Sequence, residues 1–502
     1  MPPLFKTAPT ENQQRLLFPS NIYDVLADDH PCRVYYDLFQ QLDTTEVEKQ
    51  YSLLGQHAYH PKHVVSILIY AYSRGVFSSR QIQQRCEEDL SFMYVAQMHC
   101  PNFRVLSDFR KDHADFFHDC FKQTVKLAME LGLASLGHLS LDGSKFKANS
   151  SKHKAMSYGR LKQEESKLND EINALIKQGA ACDDAEDKRY KDKTGYEIPE
   201  DLAFKQQRLS KIQAAKEALE AREKALYPEQ VIEDKKQVSF ADHDARMMGK
   251  KGSEFTYAYN PQISVDSDHQ IIVGQHVSQK VNDQQEVKPA LEQIEATTGQ
   301  QADKMSLDNG YLSGDNLAAL KEADIEAYVA LNREDKTPQE SLEDSTRKLK
   351  KSDFRYDEEK DHFICPADQI LPLIQTKKDG RTVYQGDKTI CDGCHYKPRC
   401  SQSKKGAARC ITGDQNEALR QRMKKTMESD TGKAIYSHRK TIVEPVFGQI
   451  KNTGFRGFSL RGMKKVAGEF SLVCATHNLK KIVTQIMTGL VRPENEKRVE
   501  LG

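Results

Sequence analysis

Two aspartates stand at the ends of short apolar runs built to one pattern. Asp142 closes the run in LSLDGS, and Asp308 closes the run in MSLDNG. A third acid, Glu444, lies in YSHRKTIVEPVFGQIKNTGFRG (436–457) and is the only acid between Asp430 and Glu469. Taken singly, Asp-Gly and Asp-Asn-Gly are good turn chemistry, and Glu444 is an ordinary surface residue. Taken together they have another use. Two unpaired carboxylates held close repel, so one tends to keep its proton unless a cation joins them. Mg²⁺ suits this role because it takes hard oxygen ligands, few of them from protein, and leaves positions for phosphate oxygens and water. Two such ions about 4 Å apart can activate a water or a 3′-hydroxyl and stabilise the leaving oxygen of a phosphodiester. Tyr436, Arg439 and Lys440 precede Glu444, and Lys451 follows it by seven residues, on the same helix face. Pro445 disfavours helical geometry at the residue before it, so a helix is expected to begin or kink there, with Glu444 in a first turn.

The cysteines form a second pattern. Cys365 sits in FICPAD, and Cys391, Cys394 and Cys400 sit in CDGCHYKPRC. A C-x₂-C pair with a third cysteine, closed by Cys365 across a short β-like excursion, predicts a structural zinc knuckle with Zn²⁺ on four ligands. Cys410 or His395 could replace one of them, and the alternative is a set of free thiols in a loop. The knuckle is expected to stabilise its own segment and to touch DNA with Lys397, Arg399, Lys404 and Lys405. Cys32, Cys86, Cys100, Cys120, Cys182 and Cys474 read as incidental or buried thiols. Asp244, in ADHDARMM, reads as a structural or loop residue.

The elements that must carry these groups are legible in outline. Residues 1–136 read as a helical domain, with Pro61 in a first turn, Gly75 at an end, and Ser78 and Gln81 at capping-box spacing. A long amphipathic run covers 101–133. Short helices with small turns fit a helix-turn-helix DNA-binding unit or a plain support domain equally well. Residues 137–151 hold a first strand, and 152–235 read as an inserted hairpin of two long polar helices. Residues 236–332 give a β-hairpin (257–278), a helix (285–299), the strand ending at Asp308, a helix (315–324) and another strand (326–332). A cysteine-containing insertion (333–430), a basic helical region (431–490) and a tail (491–502) follow. A hairpin running into β-α-β units predicts an α/β fold with a mixed sheet covered by helices.

Bulk properties narrow the classes. The 502 residues are 38% hydrophobic and 29% charged, with a net charge of +1. Charge is local instead: residues 431–502 hold 13 lysines and arginines against 5 glutamates and no aspartate, a candidate phosphate-binding surface or a solvated helix face. The N-terminus lacks the apolar core of a signal peptide, and VVSILIYAY (64–72) is far shorter than the roughly 20 residues a bilayer requires. Of 11 cysteines, 5 fall between 365 and 410, which fits a reducing cytoplasm with one metal cluster rather than a disulfide scaffold.

The helical front YHP…YAYSRGVFSSRQI…FR, the LDGSKFKANSS and LDNGYLS motifs, and VEPVFGQIKNTGFRGF together resemble bacterial insertion-sequence transposases of the DDE type. The resemblance covers most of the chain. It implies a ribonuclease H-like catalytic core, with Asp142, Asp308 and Glu444 as the triad that binds Mg²⁺ or Mn²⁺. It also implies a Tyr-Arg-Glu-Lys signature, matched in order by Tyr436, Arg439, Glu444 and Lys451. Arg439 lies five residues before Glu444, one more than the pattern, which leaves Arg439 or Lys440 as its cation. The implied activity is transposition: binding the terminal inverted repeats on double-stranded DNA, cleaving at the ends and joining them to target DNA, as a homodimer on DNA, in the bacterial cytoplasm at the nucleoid and with no membrane. Two alternatives are a transposase-derived DNA-binding protein without activity and a metal-dependent nuclease without strand transfer.

Overall fold

The computed structural model describes residues 22–51, 58–150, 155–186, 200–249, 255–332, 347–377, 380–401 and 406–489. Lys404, Lys405 and the tail 491–502 lie outside these residues. The chain divides into two compact units, 1–116 together with 479–502, and 117–478.

In the first unit, α1 (Pro31–Gln40) and α3 (Pro61–Ser73) each carry proline in the first turn, where its missing N–H costs nothing. His30 and His60 cap them, their Nδ1 atoms accepting the N–H of Cys32 and Lys62. Between them runs α2 (Thr45–Glu48), and α4 (Ser79–Glu88), α5 (Leu90–Val95) and α6 (Phe103–Asp112) follow. Helix α3 is almost wholly buried, and the Tyr70 ring packs edge-on against Tyr35 and Phe92. Buried Arg110 donates to the Tyr72 hydroxyl, the Phe77 carbonyl and the Ser79 hydroxyl, tying α6 to α3 and α4. Two expectations need correction here. Ser78 stands at the N-cap of α4, but its side chain makes no capping bond. The amphipathic run over 101–133 is interrupted at His113 and continues as α7 (Ala114–Glu130).

The second unit is built on a mixed sheet. β1 (His138–Gly143) and β2 (Phe146–Lys147) come first, then β3 (Ala155–Ser157), the long helices α8 (Tyr158–Glu186) and α9 (Glu200–Leu226), β4 (Gln237–Ser239) and β5 (Arg246–Met248). The chain returns to the sheet with the hairpin β6 (Thr256–Asp266) and β7 (Ile272–Ser278), then α10 (Val287–Thr298), β8 (Lys304–Leu307), α11 (Gly314–Glu322) and β9 (Glu326–Val329). Across the sheet the order is β7-β6-β1-β8-β9, with β2 and β5 also paired to β6. The first three of these strands are antiparallel, and β1, β8 and β9 are parallel. The helical hairpin has its own small core of Leu161, Leu168, Ile212, Ala215 and Leu219. Val238 of the β3–β4 ribbon joins it.

Residues 347–416 hold more regular structure than their polar composition announces. β10 (Arg355–Asp357), β11 (His362–Ile364), β12 (Ile370–Thr376), β13 (Arg381–Gln385) and β14 (Cys410–Asp414) form a five-stranded sheet of antiparallel neighbours. Its core is Phe354, Phe363, Leu371, Tyr384 and Ile411, too sparse along the chain to show as periodicity. The short helices α12 (Lys388–Asp392) and α13 (Lys397–Cys400) carry the cysteine motif. Helices α14 (Glu417–Glu428), α15 (Asp430–Ser437), α16 (Arg439–Asn452) and α17 (Met463–Met487) then return to the mixed sheet. Asn478 of α17 fastens there, its amide bonded to both the N–H (2.9 Å) and the carbonyl (2.8 Å) of Ile272. Among the described residues no helix is long and apolar enough to cross a membrane.

Candidate active site at the ends of β1 and β8

The parallel register sets Leu141 of β1 beside Leu307 of β8. Asp142 and Asp308, each one residue further on, therefore leave neighbouring strands at the same edge. Beneath them the Ser140 and Ser306 hydroxyls bond at 2.6 Å, fully buried. Asp142 accepts the N–H of Gly143 (3.0 Å), and Asp308 accepts the N–H of Gly310 (2.7 Å). Asp142 still lies in β1, paired with Ile263, and Asp308 heads the turn after β8; each keeps further oxygen lone pairs for other partners.

Glu444 arrives from α16. Pro445 does not start this helix; it lies inside it, and Glu444 falls in the second turn, which corrects the expectation of a first-turn position. A mid-helix proline deprives the carbonyl four residues earlier of its donor. That carbonyl, on Thr441, accepts instead from the Gln270 side-chain amide at 2.8 Å. Gln270 also accepts from the Gln449 amide (3.1 Å), so the β6–β7 turn grips α16 on both sides of the proline.

Arg439, the first residue of α16, joins two of the acids. Its guanidinium lies 3.1 Å from Asp142 and 3.7 Å from Glu444, and its side chain is only 7% exposed. Burial pushes the Asp142 carboxyl up to about 6. Arg439 opposes that shift, whereas the charges of Asp308 and Asp283 add to it. Half-buried Tyr436 has its hydroxyl raised by burial; Arg439 opposes the shift, and Asp308, Asp142 and Glu444 add to it. Lys440 points to solvent. Lys451 turns inward: its ammonium donates to Ser144 Oγ at 2.6 Å and lies 5.2 Å from the Phe146 ring centroid and 5.8 Å from that of Phe447.

Three residues without a local signal complete this edge. The buried Gln262 of β6 stands against Gly143, and a Cβ there would lie 2.2 Å from its Nε2. Its Nε2 donates to Asp283 (2.8 Å), and its Oε1 accepts from the buried Tyr311 hydroxyl. In β6, TYAYNPQISVD, polar and apolar residues mix, so Gln262 gave no clue. Asp283 itself, in a polar loop, offered none.

Cys365, Cys391, Cys394 and Cys400 line one cavity, together with Leu349, Phe354 and Leu371. Burial raises the Cys400 thiol to about 11; Arg409 opposes the shift, and the other three cysteines add to it. Cys410 is exposed, and the His395 ring lies tilted against Tyr396, centroids 3.9 Å apart. Lys397 pairs with Asp392, and Arg399 lies over the Tyr396 ring. Among the described residues, no three His, Cys, Asp or Glu side chains are grouped so as to hold a metal ion. The zinc knuckle, which needs four protein ligands in a tetrahedron, therefore finds no support here beyond the shared lining of one cavity by these four thiols. Mg²⁺ is a different case, since it is usually held by one or two carboxylates plus substrate phosphates rather than by a protein cage. The hard carboxylate oxygens at the β1–β8 edge fit it. Asp244 supports α17, accepting the N–H of Met463 at 2.8 Å.

A family model described as Transposase DDE domain matches residues 364–483, a span that includes Arg439, Glu444 and Lys451. A second, described as Transposase domain, matches residues 20–112. Both matches are to transposases, the larger one to their DDE domain, and together they indicate a DDE-type transposase of an insertion sequence. No curated protein and no solved structure matches the chain. DNA is the partner that the family implies, and divalent cations are the cofactors such enzymes generally use.

Proposed function

We propose that this transposase binds the terminal inverted repeats of its own element on double-stranded DNA, hydrolyses phosphodiester bonds at the ends, and joins the freed 3′-hydroxyls to target DNA. The observation that carries the reading is the juxtaposition of Asp142 and Asp308 at the ends of adjacent parallel strands, with Glu444 sharing a guanidinium with Asp142. The strand order β7-β6-β1-β8-β9, three antiparallel and then parallel, supports a ribonuclease H-like core.

In this reading Asp142, Asp308 and Glu444 hold Mg²⁺ or Mn²⁺. Such cations, when bound, polarise the phosphoryl oxygen and lower the pKa of the attacking water or hydroxyl. The chain's own side chains do the rest. Asp142 must give up its proton to serve, and Arg439 favours the ionised form. Arg439 also sets the Glu444 carboxylate against β1 and is poised to meet a phosphate oxygen when DNA enters. Tyr436 and Lys440 line the approach, Lys451 stiffens the turn after Asp142, and basic side chains of the 431–490 region and the helical N-terminal unit bind backbone phosphates in a salt-dependent manner. Two ends brought together imply a homodimer on DNA.

The test is cleavage of a labelled element-end duplex with Mg²⁺ or Mn²⁺ by the wild type, Asp142→Ala, Asp308→Ala and Glu444→Ala. Nicking at the element boundary by the wild type alone, with all four proteins binding the duplex, supports the reading. Unchanged cutting by the variants sinks it. Pre-cut ends then separate a transposase from a nuclease: only a transposase joins them to a second duplex.

A further inference from the structure

Resting on that reading, we infer that Asp283 is a positioning residue that holds the end of β1 at Asp142 and the Asp308 turn at the spacing needed for a divalent cation. Asp283 lies on the loop between β7 and α10, far in sequence from both aspartates. One of its oxygens, Oδ1, accepts from two amides on the same face of β6, Asn260 at 2.7 Å and Gln262 at 2.8 Å. Oδ2 faces the Asp308 turn, 3.4 Å from where a Cβ on Gly310 would stand.

The chain of contacts has a direction. An amide can present its NH₂ or its oxygen to a neighbour, and the neighbours decide which. A carboxylate only accepts, so Asp283 turns the Gln262 NH₂ toward itself. The Gln262 oxygen is then left for the Tyr311 hydroxyl, which donates to it. Tyr311 is three residues beyond Asp308, and its backbone N–H returns to the Asp308 carbonyl at 3.3 Å. The Gln262 amide meanwhile lies against Gly143, the residue after Asp142. One oriented amide therefore touches both the end of β1 and the Asp308 turn, and the charge on Asp283 orients it. Gln262, Asn260 and Tyr311 are fully or almost fully buried, so water is not there to replace a lost bond.

Removal of the charge leaves an amide free to flip and a tyrosine without its acceptor, and the end of β1 and the Asp308 turn lose their common brace. Groups that orient cation-binding carboxylates typically cost about 10- to 100-fold in metal affinity when substituted. The experiment is a calorimetric titration of the full-length chain with Mn²⁺ for the wild type, Asp283→Asn and Tyr311→Phe, beside cleavage of element-end DNA as Mn²⁺ is varied. Asp283→Asn is expected to weaken Mn²⁺ binding roughly tenfold or more. The rate at saturating Mn²⁺ and the affinity for end DNA without metal stay near wild type. Tyr311→Phe is expected to shift binding in the same direction by less. Wild-type binding with unchanged affinity in Asp283→Asn overturns the inference while leaving the proposed function intact. If circular dichroism shows that Asp283→Asn does not fold, Tyr311→Phe decides, and an unchanged affinity there overturns it. A wild type that binds no Mn²⁺, with or without DNA, overturns the parent reading and this one with it.

Discussion

The guanidinium of Arg439 lies 3.1 Å from the carboxylate of Asp142, and the arginine side chain is 7% exposed. A partly buried carboxylate and a buried cation from elements distant in sequence hold each other in place. Replacement of Arg439 by alanine is expected to raise the Asp142 carboxyl beyond its present value of about 6, because the group that opposes burial is gone. Proton and Mn²⁺ compete for that carboxylate, so Mn²⁺ binding should weaken about tenfold per pH unit below the Asp142 value. The inflection should stand near pH 6 in the wild type, higher in Arg439→Ala, and close to wild type in Arg439→Lys. Binding isotherms from pH 5 to 8 measure it.

Asp142→Asn should abolish cleavage without costing stability. The folded-state value of Asp142 is raised above the ordinary 3.8, so its contribution to stability is fully present below that value and is lost as pH rises through about 6. Above pH 6 the wild type therefore holds an ionised carboxylate that burial disfavours. The neutral asparagine escapes this penalty and leaves Arg439 paired with Glu444. The expected result, in chelator at pH 8, is a melting temperature for Asp142→Asn equal to or above that of the wild type. The difference should shrink toward pH 4. A variant clearly less stable at pH 8 would contradict the assignment.

Gly143→Ala tests the packing beside Asp142. The added methyl would lie 2.2 Å from Nε2 of Gln262, whose amide is held by Asp283 and Tyr311 and cannot simply swing away. The turn must move instead, and displacing a reacting carboxylate by about 1 Å can cost on the order of a hundredfold in rate. Cleavage of element-end DNA should fall on that scale while binding in the absence of metal, followed by fluorescence anisotropy, stays within about twofold of wild type.

Lys451 should matter to the protein before DNA arrives. Its ammonium is hydrogen-bonded to Ser144 and lies 5.2 Å from the Phe146 ring centroid and 5.8 Å from that of Phe447. A cation over an aromatic face and one hydrogen bond together suggest a loss of roughly 1–2 kcal/mol in Lys451→Ala. Urea denaturation without DNA or metal measures it. A lysine serving only phosphate would leave that curve where it was.

Around the two aspartates, the local elements and the residues that end them are written in the sequence. Apolar runs closed by Asp-Gly and Asp-Asn-Gly fixed where β1 and β8 stop, because turn chemistry is written in adjacent residues. The order hairpin, helix, strand, helix, strand likewise follows from neighbours in the chain, and so does the lone acid in the basic segment that carries Glu444. Only the tertiary structure decided what depends on pairing across distance. The parallel register of β1 with β8 places the two aspartates side by side. Gln270 satisfies the carbonyl that Pro445 orphans, so α16 continues where the sequence predicted a start or a kink. Arg439 turns inward to two carboxylates while its neighbour Lys440 takes the solvent, a choice that one step around a helix makes and composition cannot. The four cysteines come to one cavity because strand pairing and the short helices place their backbones, which spacing along the chain does not do. Asp283 carries no mark in its own loop; its partners come from β6, and buried polar groups find their bonds wherever the fold brings a donor.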